Sequence, residues 1–304
     1  MDIFTIILTV LGLALFEIIT SVDNAIINAD VLRTMRPNYR KWFLGMGIII
    51  GVFVVRGLLP WIVVWASNPK LGAIGSFIAS FSSDQGVLEA IEASSPILLI
   101  GSGTYLIFLF LHWWFIEPKN YGFLGERKIE KFGIWFFAVV SILLTEIVWF
   151  ALHKQIMMAF AAVLGSSIFF ITHGFKINAE QQEKKLKKKG LSDLSKIFYL
   201  EVIDSTFSID SVLGAFAFTL SIPLIILGNG LGAIVVRQLT IKGVDKIKQY
   251  AYLKNGAMYS ILFLGIIMVL DSFGYHIPSW LSPLITFIIV GYFFLKSKRA
   301  MKKI

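Results

Sequence analysis

Cysteine is absent from this sequence, which excludes disulfides and thiolate metal sites. Charge is scarce: Asp, Glu, Lys and Arg make up 15% of the residues, against about 25% in an ordinary soluble protein. No Lys or Arg precedes Arg33, so the basic start of a secretory signal is missing and residues 3–22 read as a first, retained span. The strict polar–apolar alternation of a membrane β-barrel is lacking as well; residues 97–110, for example, do not alternate. No HExxH, GxSxG or Walker loop occurs, and the expectation is a protein that is not an enzyme.

What is present is apolar length. Hydrophobic residues reach 57% and fall in runs of the roughly 17–25 residues that cross a bilayer. The sequence predicts an all-α polytopic membrane protein of about nine transmembrane helices, at residues 3–31, 42–66, 96–116, 132–152, 155–174, 197–220, 222–241, 255–271 and 281–297. The net charge of +9 does not point to nucleic acid, because the basic residues sit in short connections. The odd-numbered ones hold Arg33, Arg36, Arg40 and Lys41, then Lys119 to Lys131, then Lys176 to Lys196, then Lys242 to Lys254, and the tail Lys296 to Lys303. The even-numbered ones hold almost none. That alternation places the N-terminus outside and the C-terminus in the cytoplasm of a plasma membrane, expected to be prokaryotic. The tract from Gln181 to Lys189 is expected to be a solvated helix or a loop that touches anionic lipid. Residues 67–95 read as an outer loop.

One acidic pattern occurs twice inside apolar stretches. The first copy is Glu17-Ile18-Ile19-Thr20-Ser21-Val22-Asp23-Asn24. The second is Asp204-Ser205-Thr206-Phe207-Ser208-Ile209-Asp210-Ser211, each position 187 residues from its counterpart. A carboxylate at bilayer depth costs ~2.5–3.5 kcal/mol, so four cost on the order of 10 kcal/mol. Matching placement of that cost predicts that the groups meet and bind something positive. Gly51-Val52-Phe53-Val54-Val55-Arg56 similarly resembles Gly232-Ala233-Ile234-Val235-Val236-Arg237. With the orientation above, spans 1–3 and 6–8 form inverted three-helix repeats, an arrangement that places ion sites near the midplane. The chain then divides into a first repeat (1–118), two linking spans with the Lys-rich loop (119–196), a second repeat (197–272) and a final span with a basic tail (273–304).

At ~100° per residue, Glu17, Ser21, Asn24 and Asn28 share one helix face, as do Asp204, Ser208 and Ser211. Asp23 and Asp210 lie six residues beyond, roughly 120° around and 9 Å along an unbroken helix. All four carboxylates reach one ion only if the helices open near residues 21–24 and 208–211, where Ser, Asn and Asp compete with helical hydrogen bonds. Oxygen donors of this kind suit Mg, Ca and Mn. Two carboxylates neutralise a divalent ion, and the other two offer a route to proton exchange. A monovalent-cation or proton exchanger is a second reading. A third is a membrane scaffold or stress-complex subunit, in which the carboxylates are structural ion pairs with Arg56 and Arg237. Those arginines pair, gate or snorkel. Glu146 is a candidate fifth ligand or relay, and Asn229 either lines the cavity or cross-links helices.

These motifs resemble the TerC family of integral membrane proteins, named for tellurium resistance. The resemblance rests on Glu17-x5-Asp23-Asn24-Ala25 and on Asp204-x2-Phe207-Ser208-Ile209-Asp210-Ser211, with support from Arg56 and Arg237. It implies export of divalent metal, mainly manganese, as a transported substrate with no permanent cofactor. It also implies the ligands Glu17, Asp23, Asn24, Asp204, Asp210 and Ser211. The partners implied are the metal ion and membrane lipid, not nucleic acid.

Overall fold

A computed structural model describes residues 2–48, 56–67, 72–81, 85–119, 121–186, 192–242 and 247–301, Lys248 apart. Every regular element among them is helical. In chain order these are α1 (Ile3–Thr20), α2 (Val22–Leu32), α3 (Pro37–Ile48), α4 (Arg56–Ser67), α5 (Gly72–Phe81), α6 (Gln85–Phe115), the short α7 (Glu126–Ile129), α8 (Trp135–Leu152), α9 (Ile156–Leu186), α10 (Asp193–Ala215), α11 (Ile222–Lys242), α12 (Leu253–Ser272) and α13 (Leu281–Met301). Local signals fix several ends. Pro37 opens α3, where a missing N–H costs nothing. Ser192 caps α10, its Oγ accepting from Ser195 N at 3.1 Å.

Among the described residues, seven helices are long and apolar enough to cross a membrane: α1, α6, α8, α9, α11, α12 and α13. They match seven of the nine expected spans. Expected span two runs from α3 to α4 through residues 49–55, which lie outside the described residues along with most of the Gly51 to Arg56 repeat. Expected span six is α10, whose 23 residues extend about 34 Å, enough to cross. Glu201, Asp204 and Asp210 dilute its apolar character. It ends at Ala215 rather than at residue 220.

Residues 67–95 are not a plain loop. They hold α5 and the first turns of α6, which begins at Gln85 and carries Pro96 inside it. Likewise α9 runs on to Leu186, into the Lys-rich tract.

Small residues let backbones approach where helices cross. A Cβ on Gly165 of α9 would run into the Gly101 carbonyl oxygen of α6, and one on Gly228 of α11 would stand 2.5 Å from Leu13 Cβ of α1. Aromatic rings fill the spaces between, with Phe108 and Tyr105 edge-on to Phe169. The outer faces of α8 and α9 leave Ile142, Trp149, Phe150 and Phe160 exposed, an apolar perimeter of the kind hydrocarbon solvates.

The feature that places the site is the pairing of α1 and α2 with α10. Arg36 meets Asp193 at 2.6 Å, Lys196 Nζ donates to Thr34 Oγ1 at 2.9 Å and Asn24 Nδ2 to Asp204 Oδ1 at 2.5 Å. Further along, a Cβ on Gly214 would touch the Phe16 ring. Numbers fall on one side as they rise on the other, so the two copies of the acidic motif run antiparallel.

Candidate functional site

The first motif copy is interrupted only at Ser21, where φ is −92° and ψ is 2°. The helical ladder persists across it: Ser21 N donates to the Glu17 carbonyl at 3.1 Å, and Ala25 N to the Ser21 carbonyl at 2.9 Å. In the second copy the expected opening is absent, and α10 is continuous through residues 208–211. Ser208 Oγ donates to the Asp204 carbonyl at 2.6 Å and Ser211 Oγ to the Ser208 carbonyl at 3.0 Å. These hydroxyls return their hydrogen bonds to their own helix rather than breaking it.

An intact α10 aims Asp204 and Asp210 roughly 120° apart, and the carboxylates divide between two clefts. Asp204 lines the first with Asn28, Phe43, Ala233 and Arg237. Arg237 lies 3.7 Å from Asp204 Oδ2 and 3.6 Å from Glu201 Oε1. It also donates to the Phe43 carbonyl at 2.7 Å and sits 4.4 Å over the Phe43 ring. Of pairing, gating and snorkelling, these distances are those of pairing. The side chain of Arg56 lies outside the described residues.

Asn28 lines this first cleft, and two more buried amides sit on the helices that wall it. Asn24 and Asn28 are buried with no hydrogen-bond partner on Oδ1 among the described residues, and fully buried Asn229 has none on either amide atom. Asn229 shares a helical stripe with Ala233, Val236 and Thr240 of the cleft wall. Glu17 is buried nearby, accepting from Ser21 Oγ at 2.8 Å. It packs under Gly232, where an added Cβ would stand 2.6 Å from Glu17 Cβ.

Asp23 and Asp210 line the second cleft together, with Thr20, Lys254, Ala257 and Met258. Lys254 Nζ of α12 bridges Asp23 Oδ2 at 3.0 Å and Glu117 Oε2 at 2.6 Å. Lys176 of α9 pairs with Asp210, which also accepts from the buried Tyr105 hydroxyl of α6. The two pairs differ in burial. The side chains of Asp210 and Lys176 are 10% and 11% exposed, those of Asp23 and Lys254 47% and 41%.

Beyond the end of α6, burial alone would raise the Glu117 carboxyl. The Lys254 ammonium and His112 outweigh it and hold Glu117 well below its ordinary value.

The geometry differs from the expected one at several points. No three His, Asp or Glu side chains among the described residues converge closely enough to hold a metal ion, because the unbroken α10 keeps Asp204 and Asp210 on different faces. Ser211 hydrogen-bonds within its own helix. Glu146 is exposed on α8, away from both clefts. Lys176 and Lys254, read from the sequence as loop charges, instead reach the motif aspartates. Glu117, Glu201 and Tyr105 join them, and no spacing in the sequence marks these five.

The family described as Protein of unknown function (DUF475) matches residues 22–303. The chain belongs to the DUF475 family. The DUF475 match takes in Asp23, Asn24 and the whole second motif but starts after Glu17 and Ser21. No curated protein and no solved structure matches the chain. Within this DUF475 protein Asp23 and Asp210 supply hard oxygen donors on one cleft, balanced by ammonium groups from two other helices.

Proposed function

We propose that this protein is a membrane transporter that exports divalent metal cations, Mn²⁺ first among them. Glu17, Asp23, Asn24, Asp204, Asp210 and Ser211 are the residues from which its cation path is built. The observation that carries this reading is that Asp23 and Asp210, equivalent positions of a duplicated motif 187 residues apart, line one cleft. Structural ion pairs need no such correspondence. Oxygen-only donors favour Mg, Ca or Mn over softer ions. Buried amide oxygens of Asn24, Asn28 and Asn229 without a hydrogen-bond partner among the described residues extend the donor set toward the neighbouring cleft, where Asn24 touches Asp204. A cation leaving one cleft for the other travels about 9 Å along α10.

In this reading the nine spans, the inverted repeat, the external N-terminus and the relation to the TerC family hold as the sequence suggests. The basic connections face the cytoplasm, from which the ion enters.

The ion pairs at Asp23, Asp204 and Asp210 favour a competing reading, a scaffold held together by buried charge. Metal flux in proteoliposomes separates the two. The exporter reading expects Mn²⁺ flux in the parent protein and loss of about nine-tenths or more of it in Asp23→Asn, since one carboxylate fewer leaves too little charge to repay dehydration. Absence of both flux and metal binding in folded protein leaves the scaffold. Competition by Na⁺ stronger than by Ca²⁺ would point instead to a monovalent exchanger.

A further inference from the structure

Resting on that transport reading, the two lysines of the second cleft take on a role of their own. They come from different helices, Lys254 from α12 and Lys176 from α9, and each reaches a different motif aspartate. Together their ammonium groups carry the charge of one divalent ion. Each also touches a second seat. Lys254 Nζ is closer to Glu117 Oε2, at 2.6 Å, than to Asp23 Oδ2, at 3.0 Å. Lys176 Nζ stands 5.0 Å over the ring of Phe207, within the range at which an aromatic face attracts a cation. A lysine placed only to neutralise an aspartate needs no such second seat.

We propose that Lys254 and Lys176 are tethered counter-cations: a divalent ion entering the cleft displaces both ammonium groups from Asp23 and Asp210 onto Glu117 and Phe207, and their return expels it. The exchange conserves charge, two ammonium groups leaving the carboxylates as one dication arrives. Buried Asp210 is then never bared in a low-dielectric setting, where uncompensated charge is most costly. Competition also weakens resting affinity and drives release, which a transporter needs and a storage site does not. Lys254 moves the more freely of the two, since it and Asp23 are partly open to solvent. Its second seat is ready, because Glu117 already stays ionised beside it.

The experiment is Mn²⁺ binding to the full-length protein in lipid nanodiscs, read by the electron paramagnetic resonance of free Mn²⁺, alongside Mn²⁺ uptake into proteoliposomes. Lys254→Gln is expected to tighten binding about tenfold and to slow flux, because the competitor is gone but so is the push for release. Lys176→Gln is expected to act in the same direction. Glu117→Gln removes the second seat, leaves Lys254 on Asp23, and is expected to weaken binding about tenfold. Unchanged or weaker affinity in folded Lys254→Gln, or unchanged affinity in Glu117→Gln, overturns the proposal. Lys176→Gln strands a buried aspartate, so if it fails to fold the other two variants decide. A parent protein without flux whose Mn²⁺ binding still tightens in Lys254→Gln keeps the competition and removes transport. No Mn²⁺ binding in any variant removes both.

Discussion

Asp23 and Asp210 occupy the same place in their motifs, yet their surroundings make them unequal targets. Asp210 and Lys176 form a buried pair, and removing one member of such a pair costs about 3–5 kcal/mol. Asp23 and Lys254 are partly exposed, where a pair contributes about 0–1 kcal/mol. Asp210→Asn is therefore expected to lower thermal stability measurably, while Asp23→Asn lowers transport alone. Adding Lys176→Gln to Asp210→Asn is expected to recover much of the lost stability, a double-mutant result readable from melting curves. Glu146→Gln, on the open face of α8, is expected to leave Mn²⁺ affinity unchanged. The aspartates, the motif amides and Arg237 were legible in the sequence, because polarity inside an apolar run is a signal that each residue carries by itself. Lys176 and Lys254 were not. A lysine at the end of a span looks the same whether it faces water or turns inward, and only the packing of α9 and α12 decides.

At the scale of elements, apolar runs located seven of the helices, and the duplicated acidic motif marked the two segments that run antiparallel. The continuity of α10 was not legible, because Ser and Asp weaken a helix in isolation but stabilise this one once their hydroxyls bond back along it. The helices are instead sensitive where they touch. Gly165→Ala would drive a methyl group into the Gly101 carbonyl oxygen, and Gly228→Ala to 2.5 Å from Leu13 Cβ. Each is expected to destabilise by about 1–3 kcal/mol through overpacking. Gly291→Ala in α13 meets nothing within 4 Å and is expected to be neutral or stabilising by up to about 1 kcal/mol, as for a helical glycine given a side chain. Melting temperatures of the three variants in one detergent check the ranking.

For the whole molecule, the charged groups outside the spans set the response to acid. Glu117 is held below its ordinary value of 4.5, so the folded form binds its proton less readily than the unfolded form. Its contribution to stability is full above the ordinary value and is lost as the pH falls through the lower, folded value. The gap in melting temperature between the parent protein and Glu117→Gln is accordingly expected to be present at neutral pH and to close on acidification. The close contacts carry a mechanical consequence too. Gly228 and Gly232 lock α11 onto α1, and Gly103 of α6 meets the Gly265 carbonyl of α12 with no room for a side chain. Those two pairs behave as stiff beams, so a ligand that strained the bundle would be accommodated elsewhere. Ser21, the one residue between α1 and α2 outside either helix, is where a bend would cost least. Pivoting α2 there by about 10° would swing its far end through about 3 Å, given a lever some 16 Å long. The motif that holds the carboxylates would thus also contain the hinge that moves them apart.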